Sequence, residues 1–151
     1  MERPGEPKKL KIYIDGKWRE SQSEKWLEVR NPATDEVIAL CAEVTPQEIE
    51  EAVQAAQRAF WGWRMTPPPR RARLLFEFHR RLQDHQEELA RLIVNEHGKT
   101  LSDARGEMTR ALEYVEHACC GPELLKGHHA EQVGSGVDTV YVREPLGPFV
   151  F

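Results

Sequence analysis

Val140-Tyr141-Val142-Arg143-Glu144-Pro145-Leu146-Gly147-Pro148-Phe149-Val150-Phe151 is the stretch whose reading decides the fold. An alternating strand runs into a Pro145-Leu146-Gly147-Pro148 corner, and Phe149-Val150-Phe151 then opens a fully apolar run. Buried parallel strands read as such unbroken runs and depend on βαβ units for cover. The expectation is therefore the N-terminal portion of a larger α/β protein, cut as it enters a buried strand, with its central chemistry beyond Phe151.

Working outward, the 151 residues fit one domain or part of one, and 40% hydrophobic content suffices for a core. The charged residues make up 30% of the chain, are mixed in sign and sum to −4. No basic block is available to displace counterions from a phosphate backbone, so nucleic acid is not an expected partner. The polar start Met1-Glu2-Arg3-Pro4-Gly5-Glu6-Pro7-Lys8-Lys9 has no apolar leader core, and no run approaches the roughly 18 residues of a membrane helix. Cys41, Cys119 and Cys120 form no disulfide framework, which fits a reducing compartment; a cytoplasmic location is expected.

The first fifty residues read as two hairpins. Ile12 and Ile14 alternate with polar neighbours, and Asp15-Gly16 supplies the pair a two-residue turn needs before Lys17-Trp18-Arg19 returns. Strands at 26–30 and 37–41 flank a turn in which Pro32 fixes φ and Asn31 and Asp35 offer local hydrogen bonds. At Thr45 the hydrophobic period changes from two to 3.6. Thr45-Pro46-Gln47-Glu48 is a capping box with proline at the first helical position, followed by a stripe of Ile49, Val53, Ala56, Phe60 and Trp63. A second helix, expected to be the longest element, follows Pro69, carries Leu75, Phe78, Leu82, Leu89, Leu92 and Ile93 inward, and stops at Gly98. A third starts between Thr100 and Asp103, turns Ala104, Met108, Ala111, Val115 and Ala118 inward, and closes at Gly121-Pro122. A strand over 137–143 comes next.

Chemistry-bearing residues are few. Cys119-Cys120 sits at a helix C-terminus, where the dipole disfavours a thiolate, so a packing role is expected. His128-His129 and the other histidines lack the spacing that gathers metal ligands, and no metal is expected. Gly134-Ser135-Gly136 precedes a strand instead of a helix, which suits a loop hinge better than a phosphate cradle. Arg110 shares a helix face with Asp103, Glu107, Tyr114 and His117. On the residues alone it has two readings: a solvated arginine paired with Glu107 or Glu113, or a guanidinium that clamps a substrate carboxylate in a bidentate contact.

The order of these pieces resembles the N-terminal portion of the aldehyde dehydrogenase superfamily. The motifs are Tyr13 to Trp18, Val29 to Thr34, Phe60-Trp61-Gly62-Trp63, Pro69 to Arg73, Glu96-His97-Gly98-Lys99-Thr100 and Arg143 to Gly147, all in the family's order. Gly106 to Gly127 and Gly136 to Thr139 look most like the CoA-acylating methylmalonate-semialdehyde branch. The resemblance implies an α/β fold of two N-terminal β-hairpins and three long helices, then oligomerisation strands and the first strand of an incomplete Rossmann-like sheet. It divides the chain into a polar tail (1–10), the N-terminal part of the NAD-binding domain (11–127), an oligomerisation or bridging segment (128–147) and the start of the first Rossmann-like strand (148–151).

It further implies an enzyme in which a cysteine attacks a semialdehyde, hydride passes to NAD and the acyl group is released to CoA. The family's nucleophile, general base, oxyanion asparagine and NAD-binding glycines lie downstream of the matching region, so the 151 residues alone are expected to be inactive. By residue order, Arg110 matches the arginine that receives the substrate carboxylate. A homo-oligomer, as a dimer of dimers, is the implied assembly. The alternatives are a CoA-independent aldehyde dehydrogenase and a non-catalytic helical module that recruits partners through an exposed strand edge.

Overall fold

The computed structural model describes residues 7–150; Phe151 and the first six residues of the polar tail lie outside the described residues. Three short sheets and five helices follow in chain order. The hairpin β2 (Ile12–Ile14) to β3 (Lys17–Arg19) turns at Asp15 and Gly16, both at positive φ (51° and 76°), as a type I′ turn requires. The strands β4 (Trp26–Arg30) and β5 (Val37–Ala42) pair antiparallel around a turn in which the Asn31 side chain accepts the Ala33 N–H at 2.9 Å. Two residues of the expected tail are not free: β1 (Lys8–Lys9) lies parallel to β5, giving the order β1-β5-β4.

Helix α1 (Pro46–Arg64) starts in the capping box. Thr45 Oγ1 accepts the Glu48 N–H at 3.2 Å, and the Glu48 carboxylate accepts the Thr45 N–H at 2.9 Å. Glu48 also accepts the Gln22 N–H at 2.8 Å and the Ser21 hydroxyl at 2.9 Å. It is buried, at 2% exposure, and ties the strand connection at 21–22 to the helix start.

The single long helix expected after Pro69 is two: α2 (Pro68–Asp84) and α3 (Gln86–His97), parted at His85. The apolar stripe keeps its phase across the break, which hid it from a periodicity reading. The longest helices are instead α1 and α4 (Leu101–Cys119), each of 19 residues. Gly98 ends α3 in the left-handed region, at φ 79°, and Thr100 caps α4 by accepting the Asp103 N–H at 3.2 Å. A single turn, α5 (Gly121–Leu124), follows.

The packed centre joins α3 to α4. Ala90, Ala104 and Met108 are buried there, with Leu89, Ile93, Val94 and Leu101 against them. Most buried positions along the chain are alanines, among them Ala55 and Ala72, so the helices meet through small residues. Large side chains expected inside are about half exposed, including Ile49, Trp63, Phe78 and Leu92, while Trp18 and Trp61 stand mostly in solvent. Of the α4 stripe, Ala118 is exposed and Cys119 takes the buried position, the correct phase after Ala104, Met108, Ala111 and Val115.

Beyond α5, the strand expected at 137–143 is β7 (Val137–Tyr141), and it pairs with β6 (His128–Gly134), which the residue pattern did not mark but which falls in the segment where the resemblance implies oligomerisation strands. Gly134-Ser135-Gly136 is thus a hairpin connection. Gly127 opens the hairpin where only glycine fits, since a Cβ there would lie 2.0 Å from the Tyr141 carbonyl oxygen. Both strands are exposed along their whole length. The strand expected from 148 onward is not formed over 148–150, because no second backbone segment pairs with it; Pro148, Phe149 and Val150 instead line a groove against α1.

Candidate functional site

Helix α4 carries the candidate site on the side turned away from its buried residues. Ala104 and Met108 fix the helix against α3, which leaves Arg110 exposed. Its guanidinium folds back over Gly106, where a Cβ would stand an ordinary 3.7 Å from Nη1. One turn earlier, the Glu107 carboxylate is held by the Lys99 ammonium from the turn between α3 and α4. The Lys99 hydrogen bond, reinforced by the charges of Lys99, Arg110 and His97, holds the Glu107 carboxyl below the usual carboxylate range against the opposing effect of burial.

The direct pair between Arg110 and Glu107 or Glu113, one of the two readings of the sequence, is not formed among the described residues. The neighbouring arginine behaves differently: Arg105 makes two 2.9 Å contacts to Glu87 of α3, which also takes Arg91. Tyr114 and His117, on the same side of α4 as Arg110, are exposed as well. An unpaired guanidinium on a helix face that also carries an aromatic ring and an imidazole can receive a carboxylate with paired N–H donors. Sequence reasoning missed Lys99, whose role depends on the turn that brings it alongside α4.

The cysteines divide. Cys119 is buried and its thiol is pushed up, chiefly by burial and then by Cys120 and Glu116, so it packs and is a poor nucleophile. Cys120 and Cys41 are exposed, so packing does not describe Cys120. His128 and His129 lie on the exposed hairpin, and among the described residues no three potential metal ligands converge. Two apolar grooves complete the surface. One of about 490 Å³ lies between the β2–β3 hairpin, α1 and residues 148–150; the other, about 440 Å³, lies between α2 and the α4–α5 corner, with Arg71 and Trp63 on its wall. Among the described residues no glycine-rich turn joins a strand to a helix N-terminus, the cradle a pyrophosphate would need.

Paired N-terminal strands, close-packed amphipathic helices and a projecting hairpin are the architecture of the N-terminal portion of an α/β oxidoreductase, as solved relatives show. The chain belongs to the aldehyde dehydrogenase family, whose profile ("Aldehyde dehydrogenase family") matches residues 18–151. It is 46% identical over 138 residues to malonate-semialdehyde dehydrogenase 2 of Geobacillus kaustophilus, an alignment that covers 91% of this chain and 28% of that protein. The crystal structure of methylmalonate-semialdehyde dehydrogenase from Oceanimonas doudoroffii superposes with a TM-score of 0.86 at 41% identity, over 92% of this chain and 28% of that one. A putative methylmalonate-semialdehyde dehydrogenase from Sinorhizobium meliloti, solved in complex with NAD, gives a TM-score of 0.87 at 37% identity, over 94% and 29% of the two chains. The chain thus spans between a quarter and a third of the length of these relatives.

Proposed function

We propose that this chain is the N-terminal portion of an NAD-dependent, CoA-acylating malonate- or methylmalonate-semialdehyde dehydrogenase, which oxidises a semialdehyde to an acyl-CoA through a cysteine thioester. One observation carries the substrate class: Arg110 is exposed and unpaired among the described residues, while Glu107, a carboxylate one turn before it, is engaged by Lys99. A semialdehyde of this type carries a carboxylate at the end opposite its aldehyde. A guanidinium that receives that carboxylate fixes the distance at which the aldehyde carbon is presented, which is an orientation effect. The relatives named for such substrates, and the NAD bound to one of them, support the reading.

In this proposal the nucleophile, the oxyanion donors and the NAD and CoA sites come from sequence beyond these residues, and no step through either cofactor is assigned to this chain. The exposed β6–β7 hairpin serves the homo-oligomer, and the protein works in the cytoplasm. The test is an assay of the complete enzyme carrying this segment with malonate semialdehyde, methylmalonate semialdehyde and propanal, with and without CoA. NADH formation that prefers the carboxylated aldehydes and yields an acyl-CoA is expected. Equal use of propanal, or a free acid as product whether or not CoA is present, overturns it. The 151 residues alone should form no NADH; activity lost on Cys119→Ala or Cys120→Ala would return the chemistry to this chain.

A further inference from the structure

We propose that Lys99 is a positioning residue: by holding the Glu107 carboxylate, it keeps the Arg110 guanidinium unpaired and available to a substrate carboxylate. The role of Lys99 toward Glu107 and Arg110 stands on geometry, while its consequence for substrate rests on the reading of Arg110 given above.

Glu107 and Arg110 are three residues apart on α4, the spacing at which a carboxylate and a guanidinium on one helix ordinarily pair. Elsewhere on this molecule they do: Arg80 pairs with Glu77 at the same spacing and with Asp84 at i,i+4, and Arg91 pairs with Glu87 at i,i+4. Glu107 instead faces Lys99, eight residues earlier, across the Gly98–Thr100 turn. The choice follows from burial. The Lys99 side chain is only 18% exposed against 40% for Glu107, so the ammonium has given up most of its water and needs the carboxylate more than the solvated Arg110 does.

Two further features hold the arrangement. Gly98 in the left-handed region and the Thr100 cap fix the turn that aims Lys99 along α4. The Arg110 guanidinium folds back over Gly106, 3.7 Å from where a Cβ would stand. One carboxylate and two cations leave one cation over, and geometry decides that it is the exposed arginine. If Lys99 loses its charge, Glu107 keeps a partly buried carboxylate on which the Arg110 guanidinium already acts. The i,i+3 pair then forms and occupies the guanidinium.

The Arg110 Nε–Hε resonance reads this directly in the 151-residue chain. In the native chain, and in Glu107→Gln, its proton should exchange as rapidly as that of a free arginine. In Lys99→Met it should become protected and shift as Glu107 titrates, and in Lys99→Met/Glu107→Gln it should revert. An Arg110 signal unchanged by Lys99→Met, with the fold intact by its amide spectrum, overturns the proposal. In the complete enzyme, Lys99→Met should raise KM for a carboxylated semialdehyde roughly tenfold or more at nearly constant kcat, with little effect on propanal, and the double variant should recover most of it. Lys99→Arg should behave as the native enzyme. If the Arg110 signal responds as described but KM for neither substrate moves, the pairing scheme stands and the substrate role of Arg110 fails.

Discussion

Pro32, in the turn of the second hairpin, covers Gly98 at the end of α3 so closely that a Cβ added to Gly98 would meet Pro32 Cγ at 2.7 Å. Two motifs distant in sequence, Asn31-Pro32 and Gly98-Lys99-Thr100, are therefore one contact in space. Gly98 is also at φ 79°, where an L side chain is strained. Gly98→Ala should destabilise the chain by about 1–3 kcal/mol, measured by urea unfolding. Adding Pro32→Ala should restore the steric part and leave the backbone part; additive costs in the double variant would show that the two residues are not in contact.

Glu48 sets an acid limit. Its carboxyl is held at about 2, against an ordinary 4.5, first by the Thr45 and Gln22 N–H groups and then by the Ser21 and Thr45 side chains. A depressed folded value stabilises above the unfolded value, and the contribution disappears as pH falls from about 4.5 towards 2. Glu77, also held at about 2 by Arg80 and Arg81, is half exposed and stays in place as the baseline. Glu48→Gln should lower Tm at pH 7 by several degrees and flatten its fall over that acid window. Either orientation of the glutamine amide sets an NH2 against a backbone N–H. Parallel Tm–pH curves for the two proteins would contradict this.

Arg110→Leu in the complete enzyme should raise KM for malonate semialdehyde roughly ten- to hundredfold, from loss of a charge-assisted contact of about 1.5–3 kcal/mol. Propanal should be nearly unaffected. Equal effects on the two aldehydes, measured by steady-state kinetics, would return Arg110 to a solvated surface residue.

Gly106→Ala should stabilise the chain by about 0.5–1 kcal/mol, because a mid-helix glycine carries excess backbone entropy. The new methyl meets only Arg110 Nη1, at 3.7 Å. A lower Tm would mean that this face of α4 is more crowded than the geometry shows.

The hairpin β6–β7 satisfies half of its backbone groups internally and leaves two edges and Val133, Val137, Val140 and Tyr141 in solvent. Sedimentation velocity should show concentration-dependent association of the chain. Val140→Lys should weaken it about tenfold or more, the equivalent of one valine left unburied. A monomer across the accessible concentration range would remove the hairpin from the assembly.

Local chemistry was the most legible part of this sequence. The Thr45 to Glu48 capping box, the Asp15-Gly16 turn and the Gly98 stop are each written in a few adjacent residues, and each formed where the sequence placed it. The His85 break was not legible, because Leu82, Leu89 and Leu92 stay in phase across it. Nor was β6, whose His128-His129-Ala130-Glu131 start has no alternation and whose Gln132 bulges at φ 50°. Ala104 and Met108 were rightly placed inside, but elsewhere size suggested Trp63 and Phe78 for the interior where close helix packing selected Ala72 and Ala90. At the site, Arg110 could be singled out from its charge and helix face. Lys99 could not, since its proximity to Glu107 depends on how the chain reverses at Gly98.

The tryptophans give the exposed apolar surface an optical consequence. Of the four in the chain, Trp18, Trp61 and Trp63 are 69%, 65% and 47% exposed. Indoles already in water emit at long wavelength whether or not the backbone is ordered. The emission of Trp18 and Trp61 should therefore change little on unfolding, leaving the half-buried Trp26 and Trp63 as the reporters, and the whole should shift to the blue when another protein surface is laid over α1 and the first hairpin.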